Sequence, residues 1–453
     1  MTRALRADRF LGAAALTSAA LGAAISFAPP QLIAVAFAVP VVIGLLILLD
    51  FPLVLLGAFV FLQIFEEYQY KSSAGSITLG LVALVLLFAR SQFRDRLAKS
   101  GALRVGFGLL VVWMATALLR VTYEPLGSAV RDTIKAASYL AVVAIAAGFA
   151  ERSGAVRAAA IGASVGLVIL GVLGVSASEG VIPYLARRHG GSRELFGMTM
   201  PFERNYGLTV GYDSVALLAP IAVAYCAVHI GRPRPAIALL TLAFLVATVF
   251  QARGLVLQVV IAVAAIPVLR RPWHGWALVP VFAAVAFAMA GYVSNVDEIS
   301  SQGRTVVQDR IFADLRANPD SFLTGRDQFE YAADALGQAG LTEAFANWET
   351  FPIHNLFLSE LVAGGWLACL ALIAAYLTML IVAFQRWRAD PSDLISQTLL
   401  LAALLVTFES LIEPVLANIA GLWLVFGFVL GRGLPSRAPW RSVQVPMSPE
   451  TTR

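Results

Sequence analysis

The residues best equipped for chemistry stand where loops meet apolar runs. In FPIHNLFLSELVAGG, residues 351–365, His354 and Asn355 lie directly ahead of a long apolar stretch, with Ser359 and Glu360 inside the first two turns of a helix beginning there. A helix start offers unpaired N–H groups and the positive end of the helix dipole, both suited to a phosphate or another anion. An imidazole titrating near neutrality can take a proton from a sugar hydroxyl, and Glu360 or a loop carboxylate would orient its ring. Taken alone, a histidine at such a border reads as an interfacial residue. Arginines on the same side of the chain reverse that preference.

The first of these is Arg253, in the short join FQARG at 250–254 between two apolar runs. An arginine near membrane depth is costly unless it snorkels, pairs or faces a polar cavity, so it is a functional candidate, with an interfacial anchor as the plain alternative. The second is Arg304, in the segment 294–353, where four arginines face ten acidic residues and a general polyanion-binding patch is thereby excluded. Arg326 in the same segment and Arg204 in RRHGGSRELFGMTMPFERNYG are further basic residues of the two long outer loops. His189 could stand in for His354, whereas His229 falls at an inner helix end and His274 in the basic inner turn RRPWHGW. The two cysteines, Cys226 and Cys369, are isolated in apolar runs, and no His/Glu spacing suggests a metal. Neither a Walker loop nor a dinucleotide glycine fingerprint is present, so no cofactor is expected.

The elements that must position these residues are membrane helices. Of 453 residues, 59% are hydrophobic and 13% charged, with a mean hydropathy of +0.79, values far from those of a soluble domain. Runs long enough or nearly long enough to span lie at about 10–28, 31–49, 51–65, 77–89, 104–120, 133–150, 157–176, 213–230, 235–250, 254–269, 275–293, 355–384, 395–412 and 415–432. The fold expected is therefore all-α and polytopic, with about 12–14 transmembrane helices. With the N-terminus inside, 20 of the 33 Lys and Arg residues fall on inner segments, as the positive-inside rule requires, and both termini are cytoplasmic.

The organisation follows. N-terminal membrane helices (1–176) precede an outer loop (177–212), a second helical block carrying the Arg253 turn (213–293), a large outer loop (294–353), C-terminal helices (354–432) and a proline-rich tail (433–453) read as disordered. Within the large loop, Val306, Val307, Ile311 and Leu315 recur near a 3.6-residue period and stop at Asn318-Pro319. This predicts an amphipathic helix. DQFEYAADALGQAGLTEAFANW predicts a second, broken near Gly337 to Gly340, and the pair could lie on the bilayer surface as a lid.

At HNLFLSELVAGGWL the chain resembles the O-antigen ligase and polymerase family of bacterial membrane glycosyltransferases: His354, Asn355, nine residues, then Gly365, with Ala368 three positions on where the family commonly has glycine. QARG at 251–254 is similar to the family's Ser-Arg-Gly turn, with Ala252 for serine, and SQGRTVVQDRIFADLRANPDSFLTGRDQF resembles the opening of its large outer loop, keeping Pro319, Gly325 and Phe329. The resemblance covers roughly 200–432. It implies transfer of a glycan from an undecaprenyl diphosphate-linked donor to a lipid- or glycan-linked acceptor hydroxyl, at the outer side of a bacterial inner membrane. Matched by position, Arg253 and Arg304 would bind the diphosphate and His354 would activate the acceptor, with Arg204, Arg326 and Asn355 as substrate-binding candidates. Guanidiniums would supply the charge that a metal supplies elsewhere. Lipid A core as acceptor would make a ligase, and a carrier-linked glycan a polymerase. The expected partners are these lipids, with no nucleic acid. A secondary transporter of a small solute is the alternative, from the many helices interrupted near Pro and Gly. A scaffold without catalysis is the third reading.

Overall fold

The computed structural model describes residues 51–62, 91–123, 126–152, 154–178, 187–195, 198–206, 211–229, 253–269, 299–342, 353–412 and 420–434. The runs expected at 10–28, 31–49, 77–89, 235–250 and 275–293, and the tail, lie outside them. The first described helices are α1 (Phe51–Leu62), α2 (91–99), α3 (Gly101–Leu119), α4 (Leu126–Phe149) and α5 (Ala155–Ser178). After a β-hairpin come α6 (Gly211–Val228), α7 (Arg253–Leu269), α8 (Ile299–Ala317) and α9 (Gln328–Gln338). The last are α10 (Leu356–Ala389), α11 (Leu394–Ile412) and α12 (Ala420–Arg432).

The protein is a helical membrane protein in which α3, α10 and α11 are each long and apolar enough to cross a bilayer. The 24 residues 366–389 of α10 alone span about 36 Å at 1.5 Å per residue, enough for the roughly 30 Å hydrocarbon layer. Leu367, Leu370, Leu377 and Ile381 are each more than half exposed, and their helical spacing puts them on one face, the stripe that lipid would cover.

Sequence dictates how closely these helices meet. In α12, Gly427 and Gly431 are one turn apart, and a Cβ on either would collide with the α4 backbone, at the carbonyl of Val143 and at Ala147. Small residues thus let two helices touch backbone to backbone, which drives association where lipid is as apolar as the side chains. Gly57 of α1 and Gly162 of α5 make a second such contact. Aromatic rings then fill the core, with Trp423 of α12 stacked between Trp113 and Tyr139 at 5.1 and 5.8 Å.

Basic residues gather at one end of the bundle. Arg96 pairs with Glu151, Arg386 donates to the carbonyls of Arg432 and Gly433, and Arg432 lies 3.3 Å from Asp393. These are residues that the charge pattern assigns to a common side. The opposite ends of α3 and α10 carry Arg120 and His354.

Several expectations are revised. The stretch 91–99, which lies between the expected runs 77–89 and 104–120, is itself helical, with Phe93 and Leu97 packed on the core. Among the described residues the fold is helical apart from one hairpin within the expected loop 177–212: β1 (Arg187–Leu195) pairs antiparallel with β2 (Met198–Tyr206), His189 opposite Arg204. Only Phe196 and Gly197 separate the paired Leu195 and Met198, the spacing of a two-residue hairpin. Finally, the run at 355–384 extends to Ala389 and is broken at Gly365.

Candidate functional site

The break in α10 organises everything around His354. Gly365 has φ 73° and ψ −173°, a conformation open to glycine and hardly to other residues. A Cβ there would lie 2.6 Å from the Leu323 carbonyl oxygen and 2.8 Å from that of Phe322. Gly325, at φ 76°, seats equally tightly on the Ala363 carbonyl. The turn that follows α8 therefore presses its backbone directly into the kink, and two glycines permit it.

A broken helix orphans carbonyls that its next turn would have satisfied. Here other segments take them. The Arg326 N–H donates to the Val362 carbonyl at 2.7 Å, and the Tyr123 hydroxyl donates to the Ala363 carbonyl. Trp366 Nε1 donates to the Pro319 carbonyl at 3.1 Å. The nine residues 356–364 thus form a separate half-helix, tied at its far end to α8's turn and to the segment after α3.

Its near end carries the candidate base. Ile353 is buried, His354 and Asn355 are half-buried, and Gln308 Nε2 of α8 donates to the His354 carbonyl at 2.8 Å. Arg304 stands one turn before Gln308 on α8, half-buried, on the same side of that helix. The structure therefore brings the helix of Arg304 against the start of α10. Asn355 Oδ1 accepts from the Phe357 and Leu358 N–H groups at 3.0 and 3.1 Å, with φ 149° at Asn355. It is a helix cap, and it occupies two of the N–H groups that the sequence offered to an anion.

Glu360 does not orient His354. It is buried, and its carboxylate accepts from Trp113 Nε1 at 2.9 Å and from Arg120 at 3.2 and 3.4 Å. Six positions after His354, it points from another side of the half-helix, toward α3. The neighbouring Ser359 hydroxyl donates to Gln328 of α9. Arg120, Trp113 and Tyr123 went unread in the sequence, although Arg120 carries the same signal as Arg253: an arginine ending an apolar run away from the basic side.

The segment 299–342 has its own small core. Val307 and Ile311, from the stripe that the 3.6-residue spacing marks, pack with Phe322, Tyr331, Ala332 and Leu336 and with Leu361 and Val362 of the half-helix, and α9 ends at Gln338 ahead of Gly340 at φ 70°. Arg326 braces it. Its guanidinium carbon lies 4.3 Å from the Tyr331 ring and 4.8 Å from the Phe322 ring, with a terminal nitrogen 3.8 Å from Asp314. Tyr331 donates to that same Asp314 at 2.9 Å, and burial first, then this hydrogen bond, push its hydroxyl well above the usual phenol range.

Two candidates are less placed. Arg253 is the first residue of α7 and Arg204 lies on β2, but their side chains fall outside the described residues. Among the described residues no group of His, Cys, Asp and Glu could hold a metal. Set against known proteins, the chain matches no protein-family profile and no curated protein.

Proposed function

We propose that this chain is a membrane glycosyltransferase that moves an oligo- or polysaccharide from undecaprenyl diphosphate to an acceptor hydroxyl at the outer side of a bacterial inner membrane. It is ligase-like if the acceptor is lipid A core and polymerase-like if it is a carrier-linked glycan. The observation supporting this most directly is the hydrogen bond from Gln308 to the His354 carbonyl at 2.8 Å, which ties the helix of Arg304 to the residue ahead of the half-helix. Two distant stretches chosen for cation and base chemistry thereby share one place.

In this reading the acceptor hydroxyl oxygen attacks the anomeric carbon as the anomeric carbon–phosphate oxygen bond breaks. The hydroxyl proton passes to the His354 imidazole, and undecaprenyl diphosphate leaves with its negative charge held by Arg304 and Arg253. The proposed fold places 12–14 spans around this site, with both termini cytoplasmic.

The test is transfer from a purified lipid-linked donor to acceptor lipid by the protein in proteoliposomes. His354→Ala, inserted and stable as the parent, is expected to lower kcat by about 100-fold or more, within the usual contribution of a general base. Undiminished transfer removes His354 from the chemistry. A second reading, transport of a small solute, draws on Glu409: it is fully buried among membrane helices, where Gln258 Nε2 donates to it at 3.0 Å. Solute uptake without glycan transfer would select it.

A further inference from the structure

The half-helix 356–364 is held from the side by residues to which no role has yet been given. Arg120 and Glu360 form an ion pair at 3.2 Å with side chains 10% and 5% exposed, and Trp113 donates to the same carboxylate at 2.9 Å. Three residues after Arg120, the Tyr123 hydroxyl caps the Ala363 carbonyl. Between them Thr122 bonds back to Leu119, and Arg120–Thr122 form one turn of 3-10 helix, so both anchors belong to one short rigid unit at the end of α3. α3 and α10 also meet extensively along their lengths.

Burying an ion pair is a poor route to stability. The desolvation of two charges commonly cancels their attraction, and an apolar pair of similar volume often serves the fold as well or better. What such a pair supplies is a unique register: Glu360 satisfied by a guanidinium and an indole N–H can sit in one place only. The half-helix needs such a fix. Gly365 uncouples it from the rest of α10, so helical rigidity below the break cannot set its rotation.

We infer that Arg120 and Tyr123 are positioning residues for the candidate site, holding through Glu360 and the Ala363 carbonyl the rotation and height of the half-helix, and thereby the place of His354 beside α8. The half-helix is held at both ends by the segment 299–342, by Gln308 of α8 to His354 and by Arg326, in the turn ahead of α9, to Val362. A rotation released at Glu360 is therefore felt at His354. The inference rests on the glycosyl-transfer reading for its kinetic test only.

The experiment uses the full chain in proteoliposomes, in a background where His189, His229 and His274 are replaced by Gln, so that His354 is the sole histidine. Carbethoxylation of His354 by diethyl pyrocarbonate is followed beside glycan transfer in the parent, Arg120→Met/Glu360→Met and Arg120→Lys. The double Met variant is expected to keep the parent's thermal stability while the labelling rate changes at least threefold and kcat falls at least tenfold with little change in donor KM. Arg120→Lys, which retains the charge, is expected to recover part of both.

Parent-like labelling and kcat in a stably folded double Met variant would overturn the inference, and so would equal loss in Arg120→Lys and the double Met variant. If the double Met variant fails to fold, the same reading is taken from Tyr123→Phe, which removes only the hydroxyl, and parent-like labelling there overturns the inference equally. Should the chain with all four histidines in place transfer no glycan while labelling in the single-histidine background still responds, the positioning role stands and the glycosyl-transfer reading falls.

Discussion

Replacing Gly365 with alanine tests the organisation of the site at its narrowest point. At φ 73° and ψ −173° a non-glycine residue costs about 1–3 kcal/mol from backbone strain alone. The added methyl would then stand 2.6 and 2.8 Å from two backbone carbonyl oxygens, neither of which can swing aside as a side chain would. Relief requires the turn after α8 to lift. That weakens the Arg326 to Val362 bond at 2.7 Å and the Trp366 to Pro319 bond at 3.1 Å, each worth about 1 kcal/mol net. Local destabilisation of about 3 kcal/mol or more follows, and it falls on the docking of α8 and α9 rather than on the whole bundle. Such a change raises the population of the undocked segment on the order of 100-fold. Limited proteolysis across 299–342 in nanodiscs reads that population directly. Gly108→Ala is the matched control, because its Cβ would meet nothing within 4 Å and a helical Gly to Ala change is worth up to about 1 kcal/mol in the stabilising direction. If Gly365→Ala digests no faster than Gly108→Ala, the turn does not depend on the break and the half-helix account is wrong.

Two further predictions concern caps at either end of the molecule. Asp327→Ala removes the carboxylate that accepts from Phe329 and Glu330 N–H at 2.8 and 3.2 Å. It is expected to cost about 1 kcal/mol, seen as faster amide exchange in α9 with exchange in α11 unchanged. Asp393 caps α11. Burial by itself would raise its pKa, but the Ser396 hydroxyl, the Ile395 N–H and Arg432 outweigh it and hold the carboxyl below its ordinary value. Its stabilisation is therefore complete above the unfolded pKa of about 3.9 and is lost as pH falls through the lower folded value. Thermal unfolding of Asp393→Asn should lie below the parent at pH 6 and approach it as the pH drops under about 4.

Local periodicity made much of this architecture legible. Val306, Val307, Ile311 and Leu315 announce α8, Asn318-Pro319 its end, and Gly340 the end of α9, because each rests on neighbours within a turn or two. What the sequence left open depends on residues that meet across long separations. Glu360 looks like a partner for His354 when only the half-helix is in view, and its actual partners, Trp113 and Arg120, lie some 240 positions earlier. Gly364-Gly365 marks a weak point in an apolar run, but whether such a glycine bends a helix depends on what leans against it. Here that is a carbonyl from Leu323, supplied by the loop that the sequence treated as a separate unit. The β-hairpin was missed for a different reason. Its alternating MTMPFE pattern sits among charges and glycines that also suit a loop.

The cap at Asn355 shifts the physical burden within the proposed site. An uncapped start of α10 would present several N–H groups to a diphosphate, and the helix dipole would share the work with arginine. With Phe357 and Leu358 N–H groups held by Asn355 Oδ1, the dipole end is already partly answered. The charge developing on a departing diphosphate then falls chiefly to guanidiniums. Arginine suits that role, because its fixed fork of donors stays charged at any working pH and meets phosphate oxygens two at a time. The same logic separates the arginines by function. Arg120 and Arg326 have their guanidiniums against Glu360 and against the rings and carboxylate of Tyr331, Phe322 and Asp314, and hold the scaffold together. In the proposed site, the guanidiniums assigned to substrate charge are those of Arg304, on the helix that touches His354, and of Arg253 at the head of α7.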